Sequence, residues 1–315
     1  MRKTWYMIFK NCLVTGGAGF IGSHLVERLL AEGARVTVID DLSEGKWENL
    51  PEHKNLLKVQ ASILGNISKH IAENEVIFHL AAIPRLQRSL DQPWQSNRVN
   101  IDGTLKLLLL AKKHKIKKFI FASSSSVYGN QNRLPFKESM QPAPLVPYSL
   151  QKLVGEKYCQ MFARVWGLPT ISLRYFSVYG PRMNPEGQYA LLIPKFIKLI
   201  YQDIAPTING DGRQVRDFTY VSDAIEATIL AAKSYISGEV FNIGFGKSIS
   251  VNDVAQMINR LMGKNIKPVH GPQVVESKAT LSSSEKAREY LGWKPKVDLE
   301  KGLKIILGAN KKWIA

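Results

Sequence analysis

Tyr148 and Lys152 stand four positions apart in the run Pro147-Tyr148-Ser149-Leu150-Gln151-Lys152. In a helix that spacing puts phenol and ammonium on one face, and Pro147 suits the first helical position. A lysine beside a tyrosine favours the phenolate and lowers the phenol pKa, which makes Tyr148 a candidate general base near neutral pH. Upstream, the apolar run Phe119–Ala122 leads into Ser123-Ser124-Ser125-Ser126-Val127-Tyr128-Gly129. Hydroxyls at the carboxyl end of a strand face the crevice where α/β sheets bind ligands. There is no Ser-His-Asp set and no G-x-S-x-G, so a serine nucleophile is disfavoured. A serine that hydrogen-bonds a substrate hydroxyl beside Tyr148 fits better.

A second stretch has the pattern of a dinucleotide cradle. Leu13–Leu25 reads LVTGGAGFIGSHL, with Gly17, Gly19 and Gly22 at G-x-G-x-x-G spacing and Gly16 overlapping it. Such a stretch makes a tight strand-to-helix turn in which no Cβ separates the backbone from a pyrophosphate. Arg35–Ile39 reads as the next strand and ends in Asp40, about 20 residues downstream, where a carboxylate holds a ribose 2′-hydroxyl. With no basic residue beside it, Asp40 favours NAD over NADP.

The chain has 315 residues, 45% of them hydrophobic and 22% charged, which fits a soluble α/β protein of one large domain or two lobes. Strand patterns fall at Leu56–Val59, Glu75–Leu80, Phe119–Ala122 and Thr170–Arg174. Helical patterns fall at Ser23–Glu32, about Pro93–Lys113, and Ser149–Val165. The alternation specifies a parallel sheet covered on both faces. From Val178 onward prolines and glycines cluster, Ile208-Asn209-Gly210-Asp211-Gly212 signals a turn, and Arg216–Val221 and Val240–Ile243 read as strands. Helices are expected over Ser222–Ala232 and Val251–Met262. No run reaches the length of a membrane span. Cys12 and Cys159 make no disulfide framework, no metal site is expected, and a cytoplasmic location follows by default. The net charge of +17 includes the run Lys112-Lys113-His114-Lys115-Ile116-Lys117-Lys118. Without interleaved aromatic rings it reads as a solvated helix end that steers anionic ligands, not as a specific nucleic-acid surface.

The ordered set TGGAGFIGSHL, FHLAA (Phe78–Ala82), VNIDGT (Val99–Thr104), SSSSVYG, PYSLQK, RYFSVYGPR (Arg174–Arg182), INGDG and VRDFTYV (Val215–Val221) resembles the extended short-chain dehydrogenase/reductase family. Within it the likeness is greatest to NAD-dependent UDP-hexose 4-epimerases, from about Leu13 to Gly302. The resemblance implies a Rossmann-type doubly wound parallel sheet with a smaller, interleaved C-terminal lobe. Residues 1–176 with about 217–243 would bind NAD, and about 177–216 with 244–315 a UDP-sugar. It implies Ser124, Tyr148 and Lys152 as catalytic residues. For the cofactor it implies Gly16, Gly19, Phe20, Ile21, Gly22, Asp40, Asp41, Ser62, Ile63, Leu80, Ala81, Ala82, Asn100 and Tyr175, with Tyr148 and Lys152. For the substrate it implies Arg85, Ser177, Asn209, Arg216 and Thr280, with Ser124 and Tyr148. A homodimer through the helices near 95–112 and 149–165 is also implied.

Four departures from the family pattern bear on the site. Ser62 replaces the acid after the third strand. Ser177 replaces the asparagine of RYFN. An arginine expected near Pro272–Val275 is missing, with Lys278 as its nearest substitute. Thr280, at the size-selecting position, leaves room for an N-acetyl group. A 4,6-dehydratase is disfavoured because its Asp-Glu pair corresponds to Ser125 and Ser126. A UDP-glucuronate epimerase or decarboxylase stays open, since Arg85 and Arg88 can receive a carboxylate. From a different class, a non-catalytic NAD-sensing or RNA-binding protein stays as the rival reading.

Overall fold

The computed structural model describes residues 9–84, 86–185, 191–274 and 276–309. Seven parallel strands form the central sheet: β1 (Asn11–Thr15), β2 (Arg35–Asp40), β3 (Leu56–Gln60), β4 (Val76–His79), β5 (Lys118–Ser124), β6 (Thr170–Tyr175) and β7 (Glu239–Ile243). Their order across the sheet is β7-β6-β5-β4-β1-β2-β3. The chain winds outward from β1 in one direction, then crosses to β4 and winds the other way, so β1 and β4 flank the switch point where α/β sheets bind ligands.

Side chains alternate between the two faces, as strand geometry requires. Cys12, Val14, Val36, Val38, Val76, Phe78 and Ile120 enter one buried cluster, while Leu13, Ile39, Ile77, Phe119 and Phe121 enter the other. The first cluster is covered by helix α1 (Phe20–Ala31) and helix α3 (Val221–Lys233), whose Ala224, Ala227 and Ala231 allow close approach. The second is covered by the helix Thr104–Lys113 and by α2 (Pro147–Trp166), through Leu107, Leu108, Cys159 and Phe162. Gly167, at φ +67° in the left-handed region, closes α2.

Several elements differ from the sequence pattern. Helix α1 starts at Phe20, before Ser23, because Gly22 lets its first turn pack onto the glycine loop. The helical run expected over Pro93–Lys113 contains a π-helical turn at Arg98–Gly103. The strand expected over Arg216–Val221 is split. Val215–Asp217 pairs antiparallel with Ser248–Ser250, Thr219–Tyr220 pairs parallel with Val178–Tyr179, and α3 begins at Val221. The tail docks on α3: the buried Trp293 donates from Nε1 to the Asp223 carbonyl at 2.9 Å, and Asp223 Oδ2 accepts from the backbone of Lys296 and Val297.

Candidate active site

Gly16 has φ +70°, and a Cβ there would lie 2.7 Å from the Ala81 nitrogen at the end of β4. A Cβ on Gly22 would lie 2.1 Å from the Gly16 carbonyl oxygen. The turn therefore admits glycine alone at both places. Gly19 is the N-cap of α1, and neither a side-chain cap nor an acidic residue satisfies the first N–H groups of that helix. Unsatisfied donors at the positive end of a helix dipole, above a cradle that side chains would fill, fit the pyrophosphate of a dinucleotide. Asp40 stands beside this turn at the end of β2. Its Oδ2 accepts from Ala18 N and its Oδ1 from Leu42 N, both at 2.9 Å. Burial raises its pKa while these two bonds oppose the rise. Each oxygen keeps a further lone pair for a ribose hydroxyl. Asp41 is exposed and turns back on Ser43. Past β3, the Ser62 hydroxyl accepts from Leu64 N at 3.2 Å, and Ile63 is buried against Gly103.

A buried polar ladder ties this turn to the rest of the crevice. His79, at the end of β4, touches Thr15 Oγ1 through Nδ1 at 2.8 Å and Thr104 Oγ1 through Nε2 at 2.9 Å. The Thr104 hydroxyl donates to the Asn100 carbonyl, so its oxygen accepts the Nε2–H proton, and Nδ1 accepts from Thr15. His79 is thus held neutral, with its pKa pulled down to about 3 by burial and by the nearby Lys152. Asn100, inside the π turn, accepts from Ile83 N at 2.8 Å, and its amide donates to Ile83 O and to Gln151 Oε1. Gln151 in turn donates to Ser96. A π turn aims a side chain that a regular helix would misplace. Asn100 therefore holds the chain at Ile83, just past β4, and α2 at one fixed separation.

On α2, Tyr148 and Lys152 lie one turn apart, and Ser89 Oγ receives the Tyr148 N–H at 3.0 Å. Lys152 is 4% exposed. Its Nζ donates to the Ala122 carbonyl at 2.8 Å and sits 5.8 Å from the centre of the Tyr148 ring. Burial pulls its pKa down to about 8, against the pull of Glu156. Two residues past Ala122, at the carboxyl end of β5, Ser124 Oγ accepts from Ser126 N at 3.2 Å and keeps its own proton to donate. The Ser126 hydroxyl is buried with no hydrogen-bond partner among the described residues. Beneath this loop Ser123 donates to Glu156, and Arg174 grips both oxygens of Glu156 at 2.9 and 2.7 Å. Burial would lower the Arg174 pKa, but Glu156 more than offsets it and the net direction is upward. This fully buried pair anchors the serine loop to α2.

The substrate-side residues are more scattered. Arg216 Nη2 meets Glu276 Oε2 at 2.5 Å, and its Nη1 donates to the Val215 carbonyl at 2.9 Å. Thr280 is buried and accepts from Asp217 N at 3.2 Å. The segment around it lies against the loop after β5, through Ser277 to the Gly129 carbonyl and Lys278 N to Asn130. Ser177 has φ +28°. Asn209 is exposed at the end of the strand Thr207–Asn209. The Tyr175 hydroxyl points away from the crevice to Thr228 Oγ1 at 2.6 Å. Arg85 lies outside the described residues.

Residues that sequence reasoning missed are Thr15, His79, Ser89, Gln151, Glu156 and Arg174. His79 had a visible signal, being the one polar residue in the otherwise apolar strand Val76–His79. Among the described residues no cluster of His, Cys, Asp or Glu is placed to hold a metal ion, and no helix is long and apolar enough to cross a membrane.

A doubly wound sheet with a glycine turn at its switch point and a Tyr/Lys pair beside the next crevice defines a Rossmann-type, dinucleotide-dependent enzyme. Residues 12–244 match the NAD dependent epimerase/dehydratase family, and the chain belongs to it. A putative UDP-glucose 4-epimerase of Methanocaldococcus jannaschii is 36% identical over 301 residues, covering 95% of this chain and 98% of the relative. The UDP-N-acetylglucosamine 4-epimerase of Methanobrevibacter ruminantium, solved with UDP-N-acetylmuramic acid, superposes with a TM-score of 0.92. It is 38% identical, covering 96% of this chain and 98% of that one. The UDP-glucuronic acid 4-epimerase of Bacillus cereus, solved with UDP-glucuronic acid and NAD, gives a TM-score of 0.89. It is 36% identical, covering 95% and 98%.

Proposed function

We propose that the protein interconverts the 4-epimers of a UDP-hexose, UDP-glucose/UDP-galactose or their N-acetyl forms, through a 4-keto sugar. The observation that carries the reading is the buried Lys152 ammonium beneath the Tyr148 ring, at the strand end that presents Ser124. NAD⁺, which the glycine turn at Gly16–Gly22 and Asp40 would hold, would supply a reversible hydride acceptor for C4 of the sugar. The chain's own part is proton handling and orientation. Tyr148 removes the proton from the 4-hydroxyl, and Lys152 stabilises the phenolate. Ser124 donates to the same sugar oxygen and holds it in line. The keto sugar turns over between the two transfers, so its hexose must be gripped less firmly than its nucleotide. Arg216 suits the nucleotide grip, since a planar guanidinium holds phosphate oxygens bidentately once Glu276 yields it.

A second reading, a UDP-hexuronate 4-epimerase, is favoured by the unpartnered Ser126 hydroxyl, with Ser125 beside it. These offer donors to a C6 carboxylate. Serines at these two positions also argue against 4,6-dehydration, which needs an acid and a base there. We further propose a division of labour, with residues 1–176 and about 217–243 serving the cofactor and the remainder the sugar nucleotide. A homodimer is proposed through α2, whose Leu150, Leu153, Val154, Tyr158 and Met161 line an apolar groove of about 290 Å³. Incubation with UDP-glucose, UDP-N-acetylglucosamine and UDP-glucuronate, followed by product separation, tests the substrate. Epimer formation from the first or second supports the primary reading, and formation from the third alone replaces it. Turnover of none, with NAD bound, overturns both.

A further inference from the structure

The parallel sheet gathers the segments leading into its strands at the edge opposite the glycine turn. Lys10 precedes β1, Arg35 opens β2 in register with Asn11, and Lys54 lies just ahead of β3. Lys112 and Lys113 end the helix Thr104–Lys113, and Lys115 lies in the turn between it and β5. Lys10, Asn11, Arg35 and Asn55 also line a shallow concavity of about 480 Å³ on this edge.

Several cations at the carboxyl end of the strands are paired with carboxylates, while a group of them at the amino end is not. At the carboxyl end Arg88 faces Glu44, Arg182 faces Glu27 and Arg216 faces Glu276. At the amino end Glu75 takes up Lys117 at 2.6 Å and the Lys10 N–H at 2.7 Å. Lys10, Arg35, Lys54, Lys112, Lys113 and Lys115 have no carboxylate partner among the described residues, against one unpaired acid, Glu73. Two amphipathic rings border these cations. Trp166, with Lys112 Nζ 4.6 Å over its ring, is 42% exposed, and Tyr235, in the segment leading to β7, is 67% exposed.

We propose that this edge docks on an anionic lipid bilayer, with the active crevice turned towards water. Unpaired lysines are attracted to acidic headgroups while their stems lie along the surface, and Trp and Tyr favour the interface between headgroup and acyl chain. The edge gives the +17 net charge a location and a use beyond steering soluble ligands.

Co-sedimentation of the full chain with vesicles of phosphatidylcholine carrying about 30% phosphatidylserine tests it, with pure phosphatidylcholine as reference. The protein should pellet with the anionic vesicles at low salt and be released at high salt, where the field is screened. A variant with Lys10→Gln, Lys112→Gln, Lys113→Gln and Lys115→Gln should lose about 5-fold in partitioning per charge, with NAD binding unchanged. A control with Lys267→Gln, Lys294→Gln, Lys296→Gln and Lys301→Gln, which removes the same charge elsewhere, should bind like the parent. If the first variant does not fold, single Arg35→Gln and Lys113→Gln variants carry the same comparison. Equal binding to both vesicle types, equal loss in edge and control variants, or retention by single-stranded RNA with none by vesicles overturns the proposal.

Discussion

At the glycine turn the backbone leaves room for a single residue type, whereas around Arg216 and Thr280 the side chains alone decide what is present. A Cβ on Gly22 would sit 2.1 Å from the Gly16 oxygen, so no neighbouring adjustment rescues a substitution. Arg216, by contrast, is held by Glu276 and one carbonyl, and the Thr280 hydroxyl by one backbone N–H. Either contact can be remade with other residues. On the proposed reading, the side of the crevice assigned to the cofactor is rigidly specified and the side assigned to the sugar nucleotide is adjustable.

The strongest way to break that contrast is at the turn. Gly22→Val should destabilise the fold by about 3 kcal/mol or more and abolish NAD retention, because the clash is with backbone. Denaturant unfolding and bound-nucleotide analysis would check it, and near-parental values for both would erase the distinction. Lys152→Met comes next. It should cut turnover by about 100-fold or more, since the phenolate loses its cation. It should nevertheless be at least as stable as the parent at pH 7. The folded pKa of about 8 lies below the unfolded value of about 10.5, so the buried cation costs stability throughout the range below 8. In the parent that cost fades as pH rises from 8 to 10.5, while turnover should fall above about pH 8 as the ammonium is lost.

His79 gives a smaller, pH-gated effect on the same rigid side. Its folded pKa of about 3 lies below the unfolded 6.5, so the unfolded chain binds a proton that the folded one refuses. The stability it contributes is complete above 6.5 and is lost as pH falls towards 3. His79→Gln should flatten that part of the stability–pH curve. On the adjustable side, Arg216→Lys should raise the UDP-sugar KM about 10-fold with little change in kcat, because a point charge cannot fork onto a diphosphate. A kcat loss without a KM change would place Arg216 on the reacting atoms instead.

The same contrast explains what could be read from the sequence. The parallel sheet, the glycine turn and the Tyr148/Lys152 spacing were legible because backbone geometry restricts residue type and period at those places. The π turn that aims Asn100 was not, since nothing in VNIDGT distinguishes it from an ordinary helical turn. The ladder through Thr15, His79 and Thr104, and the Ser123–Glu156–Arg174 anchor, join residues from distant strands and helices, and such pairing has no local pattern. The break between Asp217 and Thr219, where two short strands pair with different partners, escaped for the same reason.

The account rests on Tyr148 as the group that moves the proton at the sugar 4-hydroxyl, and one measurement addresses it directly. Purified Tyr148→Phe protein, with its bound NAD quantified, is assayed for epimer formation on whichever UDP-sugar the parent turns over. The phenol-to-phenyl change should leave the nucleotide bound and lower the rate by about 100- to 10,000-fold. A variant that holds NAD and epimerises at the parental rate would contradict the assignment.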